Sequence, residues 1–286
     1  MDLGGHFDRV FIINLKRRTD RRAWMARQLQ RLGISNHEWF DAVELPSGTE
    51  IPSATTAGMT PELGADPDRY LRGAWGCKQS HLGVLELARQ RGYQSILMLE
   101  DDAELQADAG IILETALREI GPAWDMLYLG ANHQQRPRRC SDHLRRLVKS
   151  YTTHAYAVTR QIFDPILDGG YRADTEIDVF YANAIHPRYA CYCLHPQVVG
   201  QVPSFSDIMG WEVEYGELAG PAAPPTKRRW QRWLEKLQPQ FDQVRGLSRR
   251  TSHLRETPKR VVDAFTDMNG TAYRCNSDTQ APQALD

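Results

Sequence analysis

An α/β domain with a mostly parallel sheet covered by helices on both faces is what the sequence predicts. Three observations predict it. Short runs dense in branched apolar residues alternate with longer runs of helical period along most of the 286-residue chain. The first three runs read β-α-β, which requires parallel strands joined by a right-handed crossover. The alternation then stops after Pro221, where "GPAAPP" reads as a linker.

In order, "RVFIINL" (9–15) is the first buried strand. "RTDRRAWMARQLQRLGI" follows as a helix. Thr19 is its expected N-cap, Trp24, Met25, Gln28, Leu29 and Leu32 share one face, and Gly33 stops it. "HEWFDAV" (37–43) is the second strand. Residues 44–74, broken by four prolines, read as a long functional loop. A helix is expected from about Trp75 to Arg91, then a strand at 95–100 and a capped helix from Asp108. "WDMLYLG" (124–130) is a strand and 131–149 a polar excursion. "YTTHAYAVT" and "YACYCLHP" are further strands, with helices at "RQIFDPILDGG" and "TEIDVFYANAI" between them. The expected division is an α/β domain at 1–220, a basic helical extension at 221–270 and a disordered tail at 271–286.

Composition supports an ordinary globular domain, at 41% hydrophobic and 25% charged. No run of 18 apolar residues offers a membrane span, and residues 1–18 lack a basic-then-apolar leader. Five cysteines, an odd number, read as reduced thiols. These features place the expected location in the cytoplasm. Cys191 and Cys193 fall on one face of a strand and read as core thiols, since no second Cys/His pair has zinc spacing. The net charge of −1 hides an asymmetry. Residues 227–260 hold eleven Lys/Arg against three Asp/Glu, so +8 there leaves −9 elsewhere. With Trp230, Trp233, Leu234 and Leu237 interleaved, that segment suits either an anionic membrane surface or packing on the domain. Nucleic acid is not expected, for want of a recognisable motif.

The chemistry concentrates in "SILMLEDDAEL" (95–105), where Glu100, Asp101 and Asp102 end a buried run. Adjacent carboxylates repel, and a hard divalent cation, Mg²⁺ or Mn²⁺, relieves that repulsion. Open sheets bind ligands beyond the carboxyl ends of their strands, which is where these acids fall. A solvated acidic turn is the plainer alternative. "INLKRRTDRR" places Asn14, Arg17 and Arg21 after the first strand, at the same sheet edge. Arginines there are poor helix starters but suit phosphate. "GCKQSH" (76–81) adds Lys78, Ser80 and His81 at the expected start of the next helix.

These segments, with "WFDAVE", "THAYAVT", "EIDVFYA" and "PQVVGQVPSFSDI", resemble in order and spacing glycosyltransferase family 25 over roughly residues 8–210. That family groups lipopolysaccharide galactosyltransferases with collagen galactosyltransferase-like proteins. The resemblance implies a GT-A-type, Rossmann-like fold and a nucleotide-sugar donor, most commonly UDP-galactose. It also implies a saccharide or glycoconjugate acceptor, Mn²⁺ or Mg²⁺, and inversion at the anomeric carbon. It marks Asp102 as the metal ligand, with Asp207 as a further metal or donor contact. Glu100, Asp101, Asn14, Arg17, Arg21, Lys78, Ser80 and His81 fall to the donor. Asp178 is the candidate general base, with a helix-start cap as its rival reading; His154 and His195 are weaker candidates. Trp75 stands where a smaller or aliphatic residue is expected, and either stacks on a sugar or packs in the core. A lipid-linked acceptor at the inner membrane face would suit the basic segment. The rival classes are a nucleotidyltransferase acting on a sugar phosphate and a non-catalytic nucleotide-sugar or glycan-binding protein.

Overall fold

The computed structural model describes residues 3–213 and, apart from them, three short strands. Those strands, Ala264–Thr266, Ala272–Arg274 and Gln283–Ala284, form a small antiparallel sheet within a separate unit, Pro225–Asp286. They fall in the stretches expected as the helical extension and the tail. The basic segment 227–260, with its tryptophans, lies outside the described residues.

The first unit, Met1–Pro224, is built on an eight-stranded sheet. In chain order its strands are β1 (Arg9–Asn14), β2 (His37–Asp41), β3 (Ser95–Glu100), β5 (Met126–Gln135), β6 (Arg138–Arg139), β7 (Leu144–Arg146), β8 (Lys149–Thr159) and β9 (Cys191–Leu194). The spatial order is β2-β1-β3-β8-β5-β9-β7-β6. β1 runs parallel to both β2 and β3, and β5 runs parallel to β9. Only β8 and β7 oppose the rest, so the sheet is mostly parallel with two reversed strands.

Both faces of the sheet are covered, and the strands show it by alternation. Phe11, Ile13, Met98, Tyr128 and Tyr156 join one core, with α2 (Pro67–Gln90), α4 (Phe163–Arg172) and α5 (Ile177–Phe180). Val10, Ile12, Leu97, Leu99, Leu127 and Ala157 join the other, with α1 (Thr19–Arg31) and α3 (Ala109–Ile120). Such double coverage explains why β1 and β3 read as unbroken apolar runs.

Several expected boundaries move. Thr19 opens α1 from inside, with Arg18 in the cap position, and Asp108 precedes α3 without a side-chain capping bond. The largest difference is α2, which begins at Pro67, not at Trp75. Asp66 caps it by accepting from the Arg69 amide at 2.7 Å, and Pro67 fills a position whose N–H has no helical partner. The excursion after 130 is also ordered: β5 continues to Gln135, and β6 and β7 extend the sheet edge.

Candidate functional site

Parallel register brings the ends of β1 and β3 together. Ile13 lies opposite Glu100, so Asn14 and Asp101 are the next neighbours. The Asn14 amide donates to Asp101 Oδ2 at 2.7 Å. Beyond β3 the chain turns into β4 (Ala103–Leu105), which pairs antiparallel with β10 (Val199–Gln201). The register Ala103↔Gln201 sets Gln201 close to Asp102, and the Val202 amide donates to the Asp102 carbonyl at 2.9 Å. A pocket of about 290 Å³ opens at this edge, lined by all three acids, Arg17, Arg21, Arg69 and Arg72. Glu44, Cys77, Ser80, His81, Gln201 and Asp207 line it as well.

The three acids have separate environments. Asp101 is paired by Arg21 at 2.7 Å and by Asn14; burial nonetheless lifts its carboxyl above the ordinary range. Glu100 is pushed up by burial, but His81 Nε2 at 3.2 Å and the Thr153 hydroxyl at 2.7 Å hold it below the ordinary range. Asp102 is pushed up to about 7 by burial and by the Glu100 charge, against the pull of Arg21 at 3.4 Å. Among the described residues, its Oδ1 is buried with no hydrogen-bond partner, and so is Asn14 Oδ1. Unpartnered buried oxygens beside an arginine-lined pocket fit a hard divalent cation, which accepts oxygen lone pairs that no protein donor takes.

The arginines are fixed by a short segment downstream. Arg21 also donates to the Ser204 hydroxyl and the Phe205 carbonyl, in the β11 (Ser204–Phe205) and β12 (Glu212–Val213) hairpin. Arg17 and Arg18 each pair with Asp207, at 2.8 and 2.6 Å. Arg69 reaches the Asp207 carbonyl and lies over the Phe205 ring. The segment 204–207 thus holds the arginines of the pocket, and its Ser206 and Asp207 line it.

Most expected site residues converge there, but three assignments change. Lys78 does not reach the pocket. It sits in mid-helix, fully buried, with Nζ donating to the Thr55 and Ala173 carbonyls at 2.9 and 2.7 Å. Asp207 lines the pocket, but both its oxygens are taken by guanidinium groups, which hold its carboxyl low despite burial. It clamps Arg17 and Arg18. Asp178 is absent from the pocket lining. Its carboxylate accepts from the Thr152 amide at 3.0 Å and the Val179 amide at 2.7 Å. It braces Thr152, which holds φ at 69°, a backbone conformation rare for a β-branched residue.

Ser80 and His81 do line the pocket, from the middle of α2 and not its N-terminus, so no helix-end anion effect applies to them. The Val43 amide donates to Ser80 Oγ at 2.8 Å, tying α2 to the loop after β2. His154 bonds Thr152 and the Val199 carbonyl, and Trp75 bonds Thr55; like His195, neither lines the pocket. Sequence reading missed Arg69, Arg72, Cys77, Thr153 and Gln201. The Asp66-Pro67 pair was the signal for the first two, because it starts the helix that carries them.

The fold and pocket define a class: an α/β protein whose acids and arginines meet at the carboxyl ends of parallel strands, where phosphorylated ligands bind. A family model described as "Glycosyltransferase family 25 (LPS biosynthesis protein)" matches residues 7–199, and the chain belongs to that family. Procollagen galactosyltransferase 1-B of Xenopus laevis is 33% identical over 138 residues, 45% of this chain and 22% of the relative. Procollagen galactosyltransferase 1 of Danio rerio is 30% identical over 171 residues, 54% of this chain and 27% of the relative. Inactive glycosyltransferase 25 family member 3 of Homo sapiens is 33% identical over 133 residues, 43% of this chain and 22% of that protein. The matched region is therefore about a quarter of the relatives' length. Among the described residues, no helix is long and apolar enough to cross a membrane.

Proposed function

We propose that this chain is a metal-dependent glycosyltransferase that moves a sugar, galactose by its relatives' names, from a UDP-type donor to a saccharide or glycoconjugate. The observation that carries the reading is the buried Asp102 Oδ1, without a hydrogen-bond partner among the described residues, beside an arginine-lined pocket. Asp102 would hold Mn²⁺ or Mg²⁺, and the cation would neutralise a diphosphate leaving group. Arg17, half exposed, and Arg72 line the pocket and would meet the phosphates. Arg21 keeps Asp101 and Asp102 apart in charge and fixed in position. Inversion and a peripheral place at a membrane's inner face belong to the same proposal, supported by family likeness and by the basic composition of 227–260.

The test is to incubate the protein with a panel of nucleotide sugars and Mn²⁺, with and without saccharide acceptors, and measure free nucleoside diphosphate. UDP release that Asp102→Asn abolishes is the expected result. No release from any donor, together with no thermal shift by UDP plus Mn²⁺, overturns it. Binding without release would instead favour a non-catalytic nucleotide-sugar protein, the reading favoured by the relative named as inactive. Pyrophosphate release when a nucleoside triphosphate and a sugar 1-phosphate are supplied instead, with no UDP released from any nucleotide sugar, would indicate a nucleotidyltransferase.

A further inference from the structure

Beside the hard, all-oxygen site lies a donor set of different chemistry. Cys77 and His81 are four residues apart on α2, hence on one face of the helix. Glu100 ends β3 opposite them. One ligand atom from each, Cys77 Sγ, a His81 ring nitrogen and a Glu100 oxygen, lie within 4.8 Å of one another. All three residues line the pocket. Tetrahedral zinc, with bonds of about 2.0–2.3 Å, needs ligand atoms roughly 3.3–3.8 Å apart, so a small contraction is enough.

The surroundings are those of an oriented ligand set. His81 Nδ1 meets the Tyr156 hydroxyl at 2.9 Å, which leaves Nε2 on the Glu100 side. The Tyr156 hydroxyl is itself held by Tyr181 at 3.1 Å, and Thr153 donates to Glu100. Metal-bound histidines generally have their second nitrogen fixed by an oxygen in this way.

We propose that Cys77, His81 and Glu100 form a site for a thiophilic divalent cation, Zn²⁺, with its fourth position open to the pocket. A thiolate-imidazole-carboxylate set selects zinc over the magnesium or manganese that suits Asp102. On binding, the Cys77 thiol releases its proton to solvent. The Nε2 proton that faces Glu100 in the neutral imidazole moves through solvent to Nδ1, so that Nε2 and the freed Glu100 oxygen both bind the metal and Nδ1–H donates to the Tyr156 oxygen. The site stands apart from the transferase reading and is tested without turnover.

Co²⁺ is the probe, added to the full metal-free chain and followed by absorbance. One equivalent should give a thiolate-to-cobalt charge-transfer band that stoichiometric Zn²⁺ erases and excess Mg²⁺ leaves in place. Cys77→Ser should abolish the band and Glu100→Gln should weaken cobalt binding at least tenfold. Asp102→Asn should leave the band intact, and so should Cys193→Ser, which removes the rival thiol 3.7 Å from His133. A second measurement uses the unmodified chain. Zn²⁺ should shield Cys77 from alkylation, mapped by mass spectrometry, while exposed Cys140 continues to react. No band with wild type, a band surviving Cys77→Ser in a folded chain, or one lost in Cys193→Ser overturns the proposal. Equal alkylation of Cys77 with and without Zn²⁺ does so as well.

Discussion

At the scale of single residues, Asp102 and Asp178 show how differently two buried carboxylates in one domain are partnered. Asp102 has an oxygen with no hydrogen-bond partner among the described residues, and Asp178 has both oxygens on backbone amides. Asp178→Asn replaces one acceptor by a donor facing an N–H. The expected loss is about 1–3 kcal/mol of stability in urea titration, with nucleotide-sugar hydrolysis retained. Abolished turnover at unchanged stability would return Asp178 to the role of base. Asp102→Asn is the opposite case: metal-dependent UDP release falls by at least a hundredfold while the fold gains stability at neutral pH. The difference is readable because only one of the two carboxylates is tied to the backbone.

At the scale of elements, α2 decides how much of the site was legible. β1, β3 and the three acids were readable, because an unbroken apolar run that ends in charge marks a doubly covered strand reaching a ligand-facing sheet edge. α2 was legible only from Trp75 onward. Its first two turns carry Arg69 and Arg72 toward the pocket, so they read as polar loop. Arg21's hold on 204–205 joins segments more than 180 residues apart, and no local pattern encodes that pairing. The seating of α2 on the loop after β2 is equally non-local. A Cβ on Gly76 would lie 2.4 Å from the Val43 carbonyl oxygen, a backbone atom that has little room to yield. Gly76→Ala is therefore expected to lift α2 from that loop and strain the Ser80–Val43 bond. A stability loss of about 1–3 kcal/mol, in the range of overpacking, should accompany weaker UDP binding by calorimetry. Unchanged binding at wild-type stability would show that the loop does not position the pocket.

At the scale of the whole domain, the site and the core pull stability in opposite directions with pH. His186 is buried against Tyr128, with Nδ1 unpartnered, and burial lowers it from 6.5 to about 4. Between those values the unfolded chain binds a proton there that the folded chain refuses. Stability from His186 is thus complete above pH 6.5 and lost as pH falls toward 4, by on the order of 3 kcal/mol. Asp102 works the other way. Its folded value of about 7 lies above the ordinary 3.8, so the folded chain keeps a proton the unfolded chain has released. Stability from Asp102 is complete below about pH 4 and lost as pH rises toward 7. The two windows overlap, so each masks the other in the wild type. Urea midpoints of the full chain from pH 4 to 8 should expose them separately. Asp102→Asn should gain stability over wild type progressively with rising pH, which leaves its own acid loss steeper. His186→Gln should keep a constant packing penalty above pH 6.5 that shrinks as the pH is lowered. Difference curves that are flat with pH for both variants would mean that neither group changes its proton affinity on folding. Mn²⁺ should abolish the Asp102 limb at neutral pH, because a cation on the carboxylate replaces the proton, while the His186 limb persists unchanged.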